Sequence, residues 1–245
     1  MAIEICTVCY NFQRRWALQL ASLIQQIEPP DFLINIAYVD GNGNPDVKTV
    51  VNFYEQKGLQ FKLTPYDETL KTRGFIRNLQ VQNSSEEWLF FNDCDLIYHP
   101  HFFGQIKIYL DPSSKELLGF NPLAHTNIET ANRFFDNFQM YVSSAYDVAK
   151  SFGITKVTGR GIVNGGGQLV RRQVVLNKCK GHYVRSDYSN DRPMGFNGTR
   201  SDIRFRRKFR RRRVISDMPM NIHAEHYRMQ NNGILNPKFD INAQR

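Results

Sequence analysis

From Ile3 to Cys9 the chain is strand-like, and then the spacing of apolar positions changes: Trp16, Leu20, Leu23, Ile24 and Ile27 recur every three or four residues. The first pattern predicts a buried strand, the second an amphipathic helix that runs until Pro29-Pro30. Residues 32–39 form another apolar run, stopped by Asp40-Gly-Asn-Gly-Asn-Pro, a dense cluster of turn formers. A helix over about 45–57, a strand over 59–63, a helix over about 72–82 and a strand over 88–92 complete a β-α-β-α-β-α-β alternation. That order predicts an α/β fold with a mostly parallel central sheet and helices on both faces.

The second half is less regular. It holds a helix after Pro100, a strand over 117–120, helical stretches between about 127 and 152, and a glycine triplet at 165–167 that permits close ligand approach, loop movement or a plain turn. No internal repeat or flexible linker divides the 245 residues, which are expected to form a single domain, more regular over about 1–100 than over about 101–245.

Composition narrows the class. Hydrophobic residues at 41% and aromatics at 13% supply a substantial core, which argues against disorder. No stretch approaches the roughly 18 consecutive apolar residues of a membrane span. The opening MAIEICTVCYNF lacks the basic start and long apolar core of a signal peptide, so a cytoplasmic protein is expected. Of the four cysteines, Cys6 and Cys9 form one C-x-x-C with no second pair to complete a zinc site; small apolar filler in a reducing compartment is their expected role.

Charge is concentrated. Residues 200–213, RSDIRFRRKFRRRR, hold nine of the 32 basic residues, which leaves the rest of the +9 molecule nearly neutral. Phe205 and Phe209 interleave the arginines, as in a base-stacking nucleic-acid patch, yet no nucleic-acid motif accompanies them, and an anionic acceptor or an acidic membrane surface accounts for the same charge.

The stretch EEWLFFNDCDLIYHPHFF places Asp93 and Asp95 where an apolar strand leaves the core. Ligands of open α/β sheets bind at that edge. Two carboxylates so close repel unless a cation lies between them, and a divalent ion is one solution; an Asx turn capping a following helix is the other.

Taken in order, TVCYN, YVDGNGNPD, TRGFIRNLQVQ, LFFNDCDLI, VNGGGQLVRR and GFNGTRSDIRFRRKF followed by NIHAEH resemble nucleotide-diphosphosugar glycosyltransferases of the GT-A (Rossmann-like) fold. The likeness is to inverting family 2 and to the carboxy-terminal part of β-1,4-galactosyltransferases, and it covers most of the chain. It implies a metal-dependent, inverting transfer of a sugar from a nucleotide donor, a UDP-sugar by preference, to a hydroxyl of a glycan, lipid or protein.

By the same resemblance Asp40 contacts the nucleoside, and Arg73, Arg77, Asn78 and Gly166 lie near the donor. Asp93 faces the ribose, while Asp95 faces a Mn²⁺ or Mg²⁺ on the diphosphate. Carboxylate oxygens suit such an ion, and a histidine in the set favours Mn²⁺. His223 and His226 compete for that place, with Met220 a further match that packing also explains.

Asp202 falls on the family 2 general base, with Ser201 where a glutamate is usual; the galactosyltransferase register puts Arg200 there instead. Without the resemblance, Asp202 is a helix N-terminal carboxylate paired with Arg206 four residues on. Arg206, Arg210 and Arg211 are candidates for binding an anionic acceptor. Two other functions compete: a sugar-nucleotide pyrophosphorylase, whose glycine-rich amino-terminal loop CTVCYNFQRR lacks, and a nucleic-acid-binding protein built on the 204–213 run.

Overall fold

The computed structural model describes residues 2–67, 73–138, 140–158, 167–179 and 205–224. The first half follows the predicted alternation: β1 (Ile3–Cys9), α1 (Gln13–Ile24), β2 (Phe32–Tyr38), α2 (Val47–Glu55), β3 (Phe61–Pro65), α3 (Arg73–Asn83) and β4 (Trp88–Asp93). After it come β5 (Leu96–Ile97), α4 (Phe102–Ile106), β6 (Leu117–Phe120), β7 (Leu123–Thr126), α5 (Ile128–Asp136), α6 (Ala145–Ser151), β8 (Ile154–Thr158), β9 (Gln168–Arg171), α7 (Arg172–Cys179), β10 (Arg212–Ile215) and β11 (Asn221–His223).

The larger sheet has the order β10-β6-β9-β4-β1-β2-β3 among the described residues, and β9 alone runs against its neighbours. The mostly parallel sheet is therefore as expected. Alternate residues of its central strands point to opposite faces: Ile3 and Ile5 of β1 with Trp88 and Phe90 of β4 meet α1, α2 and α4, whereas Cys6, Leu89 and Phe91 meet α3 and α7. Cys6 and Cys9 fall into different clusters, so the C-x-x-C is two buried single thiols on opposite faces.

A second sheet, order β5-β11-β7-β8, was not legible in the pattern. It lies beyond the carboxyl end of β4, joined by the two-residue turn Cys94–Asp95. The Phe90 ring ties the two layers together, with Tyr98, Phe102, Phe103 and Phe120 ring centroids 5.5–6.2 Å from it. Gly167, last of the glycine triplet, passes against that ring, where a Cβ would sit 3.3 Å from it.

Three boundaries differ from expectation. Helix α1 stops at Ile24, short of the proline pair, because the chain turns to let the Ile27 N–H donate to the Pro100 carbonyl (2.8 Å); Ile27 is left 46% exposed. The third strand is shifted two residues on, to Phe61–Pro65; as an edge strand it tolerates Pro65 and exposes Leu63. Helix α2 is shorter than 45–57 because Asp46 caps it, accepting the Thr49 N–H at 2.7 Å.

Beneath α3 lies a buried polar network. The Glu4 carboxylate accepts from Asn35 (2.6 Å) and from the Ser85 N–H (2.9 Å), and the Gln80 amide donates to the carbonyls of Thr7 and Asn35 (2.8 and 2.7 Å). Buried groups satisfied in this way fix position as well as contributing stability. Here they seat α3 on β1 and β2, and with it the arginines described next.

Candidate active site

Asp93 ends β4 and Asp95 closes the turn into β5, so the Asp-x-Asp links the two sheets. No helix follows for it to cap, which removes the capping alternative. The two carboxylates have different partners among the described residues.

Asp93 Oδ1 accepts from Arg73 Nη1 at 2.5 Å and from Arg77 Nη2 at 3.3 Å. Arg77 is wholly buried; its Nη2 also donates to the Asn92 carbonyl at 2.9 Å, and its guanidinium lies 5.8 Å from the Phe91 ring centroid. It touches Asp93 from within the core. Asn78 is buried as well, and Arg73, at the start of α3, stays partly open.

Asp95 has a different partner. Strand β11 pairs antiparallel with β5, His223 opposite Leu96, and the Ala224 N–H donates to the Asp95 carbonyl at 2.9 Å. This pairing brings His223 Nε2 to 3.2 Å from Asp95 Oδ2, with Asp95 only 3% exposed. On the other side of β11, His125 of β7 stands in register with His223, ring centroids 5.3 Å apart, and its Nε2 lies 3.3 Å from the Thr158 hydroxyl. Nothing in the sequence singled out His125: it is one histidine in a four-residue strand.

Between the aspartates, the Cys94 thiol faces inward. A hydrogen bond with Cys9, then burial, raise its pKa well above the ordinary thiol value. Among the described residues no three His, Cys, Asp or Glu side chains gather as a complete metal site. Asp95 and His223 fit a narrower requirement. An ion held by a substrate diphosphate needs only one or two protein ligands, with phosphate oxygens and water completing the shell.

Asp40 follows β2 at the same carboxyl edge, exposed and paired with Lys48 at 2.8 Å. Its loop is anchored by Gly43, whose φ of +87° places it against Gln13, the residue whose amide donates to the Asn42 carbonyl (2.8 Å). A cavity of about 300 Å³ opens there between residues 11–15, Gly43-Asn44 and α5. Its arginines are engaged: Arg14 donates to the Phe135 carbonyl at the end of α5 (2.8 Å), and Arg15 to Asn132 (2.5 Å).

Met220 packs at the rim of the core, its carbonyl accepting from the Tyr146 hydroxyl at 2.6 Å. Gly166, Asp202 and His226 lie outside the described residues.

The basic run divides in two. Phe205 and Phe209 are buried (0% and 1%), Phe205 edge-on to Phe91 at 5.4 Å, so neither offers a ring to a base. Arg206 is half-buried beside them, while Arg210 to Arg213 are exposed. Strand register sets Arg213 level with Phe90, through Leu118 and Leu169. That is three strands across and three residues short of Asp93, about 17 Å from it at ordinary strand spacings; Arg210 and Arg211 lie farther still.

No protein-family model matches the chain, and no curated protein sequence matches it. Solved structures do. S. aureus TarS 1–349 superposes with a TM-score of 0.60 at 14% identity, over 91% of this chain and 60% of that one, and the same protein is known in complex with UDP-GlcNAc. The mannosyltransferase PcManGT from Pyrobaculum calidifontis, in complex with GDP-Man and Mn²⁺, gives 0.57 at 13% identity over 91% of this chain. The chain spans 60% and 56% of the lengths of these two structures. With its strand order and its reversed β9, the chain has the GT-A fold of glycosyltransferases.

Proposed function

We propose that the chain is a glycosyltransferase that draws on a nucleoside-diphosphate sugar, with a UDP-sugar favoured, and transfers the sugar with inversion to a hydroxyl of a glycan, lipid or protein. The observation that carries this is the division of labour at the end of β4: Asp93 gripped by two arginines, Asp95 set against His223. Neighbours of the same fold bind UDP-GlcNAc in one case and GDP-Man with Mn²⁺ in another.

Asp95 and His223 would hold the divalent ion, Mn²⁺ or Mg²⁺. When bound, it supplies positive charge to a diphosphate that leaves more negative than it arrived. Asp93, immobilised by Arg73 and Arg77, accepts a hydrogen bond from the ribose, and Asp40 meets the nucleoside. Asp202 takes the acceptor's proton as that oxygen bonds the anomeric carbon and the bond to the diphosphate breaks on the opposite face.

Calorimetry with UDP and GDP, each with and without Mn²⁺, tests the reading. Binding is expected only weakly under chelation, and Asp95→Ala should abolish the metal's contribution while Asp202→Asn spares donor binding and suppresses transfer. Equal affinity with and without metal would remove the ion, and no binding of either nucleotide would remove the transferase.

A further inference from the structure

Four consecutive arginines, Arg210 to Arg213, are exposed at the margin of the larger sheet, and the site edge is not where they are. β10 runs parallel to β6 with Arg212 opposite Leu117, so the run enters the sheet at the end away from Asp93. Lys107, Ile108 and Tyr109 form a short turn after α4 beside the same margin, and the Arg213 guanidinium lies 5.8 Å from the Tyr109 ring centroid. Lys107 is exposed, and Ile108, at 76%, is the most exposed large hydrophobic side chain among the described residues.

We propose that this margin is a peripheral membrane-docking surface, on which Arg210 to Arg213 and Lys107 meet the headgroup phosphates of an anionic lipid leaflet and Ile108 enters its interface.

Each part has a blander account, and the combination does not. Arginines on an edge strand discourage pairing with another chain, but that needs no exposed isoleucine nearby. A lone exposed isoleucine is ordinary; one set in a basic margin has the composition of an interfacial contact, charge for the lipid phosphates and an apolar tip for the acyl boundary. A soluble polyanion matches the charge but not Ile108. Single-stranded nucleic acid requires stacking rings, and the two phenylalanines of the run are buried in the core. Asp111, Glu116 and Asp217 also lie near this margin, with Asp217 3.5 Å from the Tyr109 hydroxyl; against the four arginines and Lys107 they leave the surface net positive. Docking here leaves Asp93 three strands away across the sheet from β10. The proposal stands apart from the transferase reading, since it uses none of those residues.

The full chain is sedimented with vesicles of phosphatidylcholine alone and of phosphatidylcholine mixed equally with phosphatidylglycerol. Binding is expected only to the second. It should fall about fivefold for each arginine neutralised among R210Q, R211Q, R212Q and R213Q, the equivalent of roughly 1 kcal/mol per charge near the surface. Ile108→Asp should weaken it further, while Ile108→Trp should strengthen it; thermal unfolding confirms that each variant is folded. No preference for the anionic vesicle would overturn the proposal. So would an Ile108→Asp variant that binds as the wild type does while polyphosphate or an oligonucleotide competes fully, because the surface would then be a polyanion site.

Discussion

Asp93 and Asp95 are two residues apart and have different partners because the backbone turns between them. The order of motifs pointed to both, and to His223 with His226 as its rival. It gave no hint that Arg77 is a wholly buried support, because a helix written RGFIRNLQVQ shows its charges without showing which of them face inward. Burial separates the two arginines energetically. Arg77→Ala strands the Asn92 carbonyl and removes one of two cations from Asp93, and should lower unfolding stability by about 3 kcal/mol. Arg73→Ala, at a partly open position, should cost about 1 kcal/mol or less yet weaken nucleotide binding. Urea unfolding beside calorimetry separates the two effects, and equal stability losses would contradict the assigned burial.

Among elements, the long periodic ones were legible and the short ones were not. α1, α2, α3 and the first four strands each carry enough turns or alternations to reveal a period, and all are where the pattern put them to within a few residues. β5 and β11 have two and three residues, and β8 is exposed along nearly its whole length, so no periodicity exists to be seen. The second sheet, which delivers His223 to Asp95, is made of these three and the four-residue β7. A cap decided where α2 begins. Asp46→Ala should cost about 1 kcal/mol through the lost Thr49 contact. That hydrogen bond holds the Asp46 carboxyl below its usual value. A depressed carboxylate contributes fully above its unfolded pKa, about 3.9, and the contribution is lost as pH falls through the folded value. The urea midpoints of wild type and variant should therefore differ near neutrality and converge as pH falls through the folded value; a constant gap would refute the cap.

At the scale of the whole molecule, one run of sequence serves two ends. The residues between Phe205 and Phe209 turn under the larger sheet, where the two rings join Phe91, Val174 and Val175, and the chain then emerges as an exposed basic strand. The composition of the run showed the charge and the aromatics but not that they face opposite ways. Phe209→Ala should reduce stability by about 3–4 kcal/mol, as for a buried ring, and should leave any low-salt attraction for an oligonucleotide unchanged in the folded protein. Loss of that attraction with stability intact would restore the stacking role.

The pairing of β5 with β11 also has a consequence in time. Asp95 and His223 are separated by more than half the chain, so their meeting closes one of the longest loops in the molecule. Contacts of such sequence separation form late, since the entropy of closing the loop precedes any reward. On the ribosome, β1 to β4 can associate long before His223 has been synthesised. A nascent chain thus carries its strands, its buried arginine and both aspartates for much of its synthesis while the partner of Asp95 is still missing. The contact between Asp95 and His223 arrives with β11, which makes it a timer for completion of the fold.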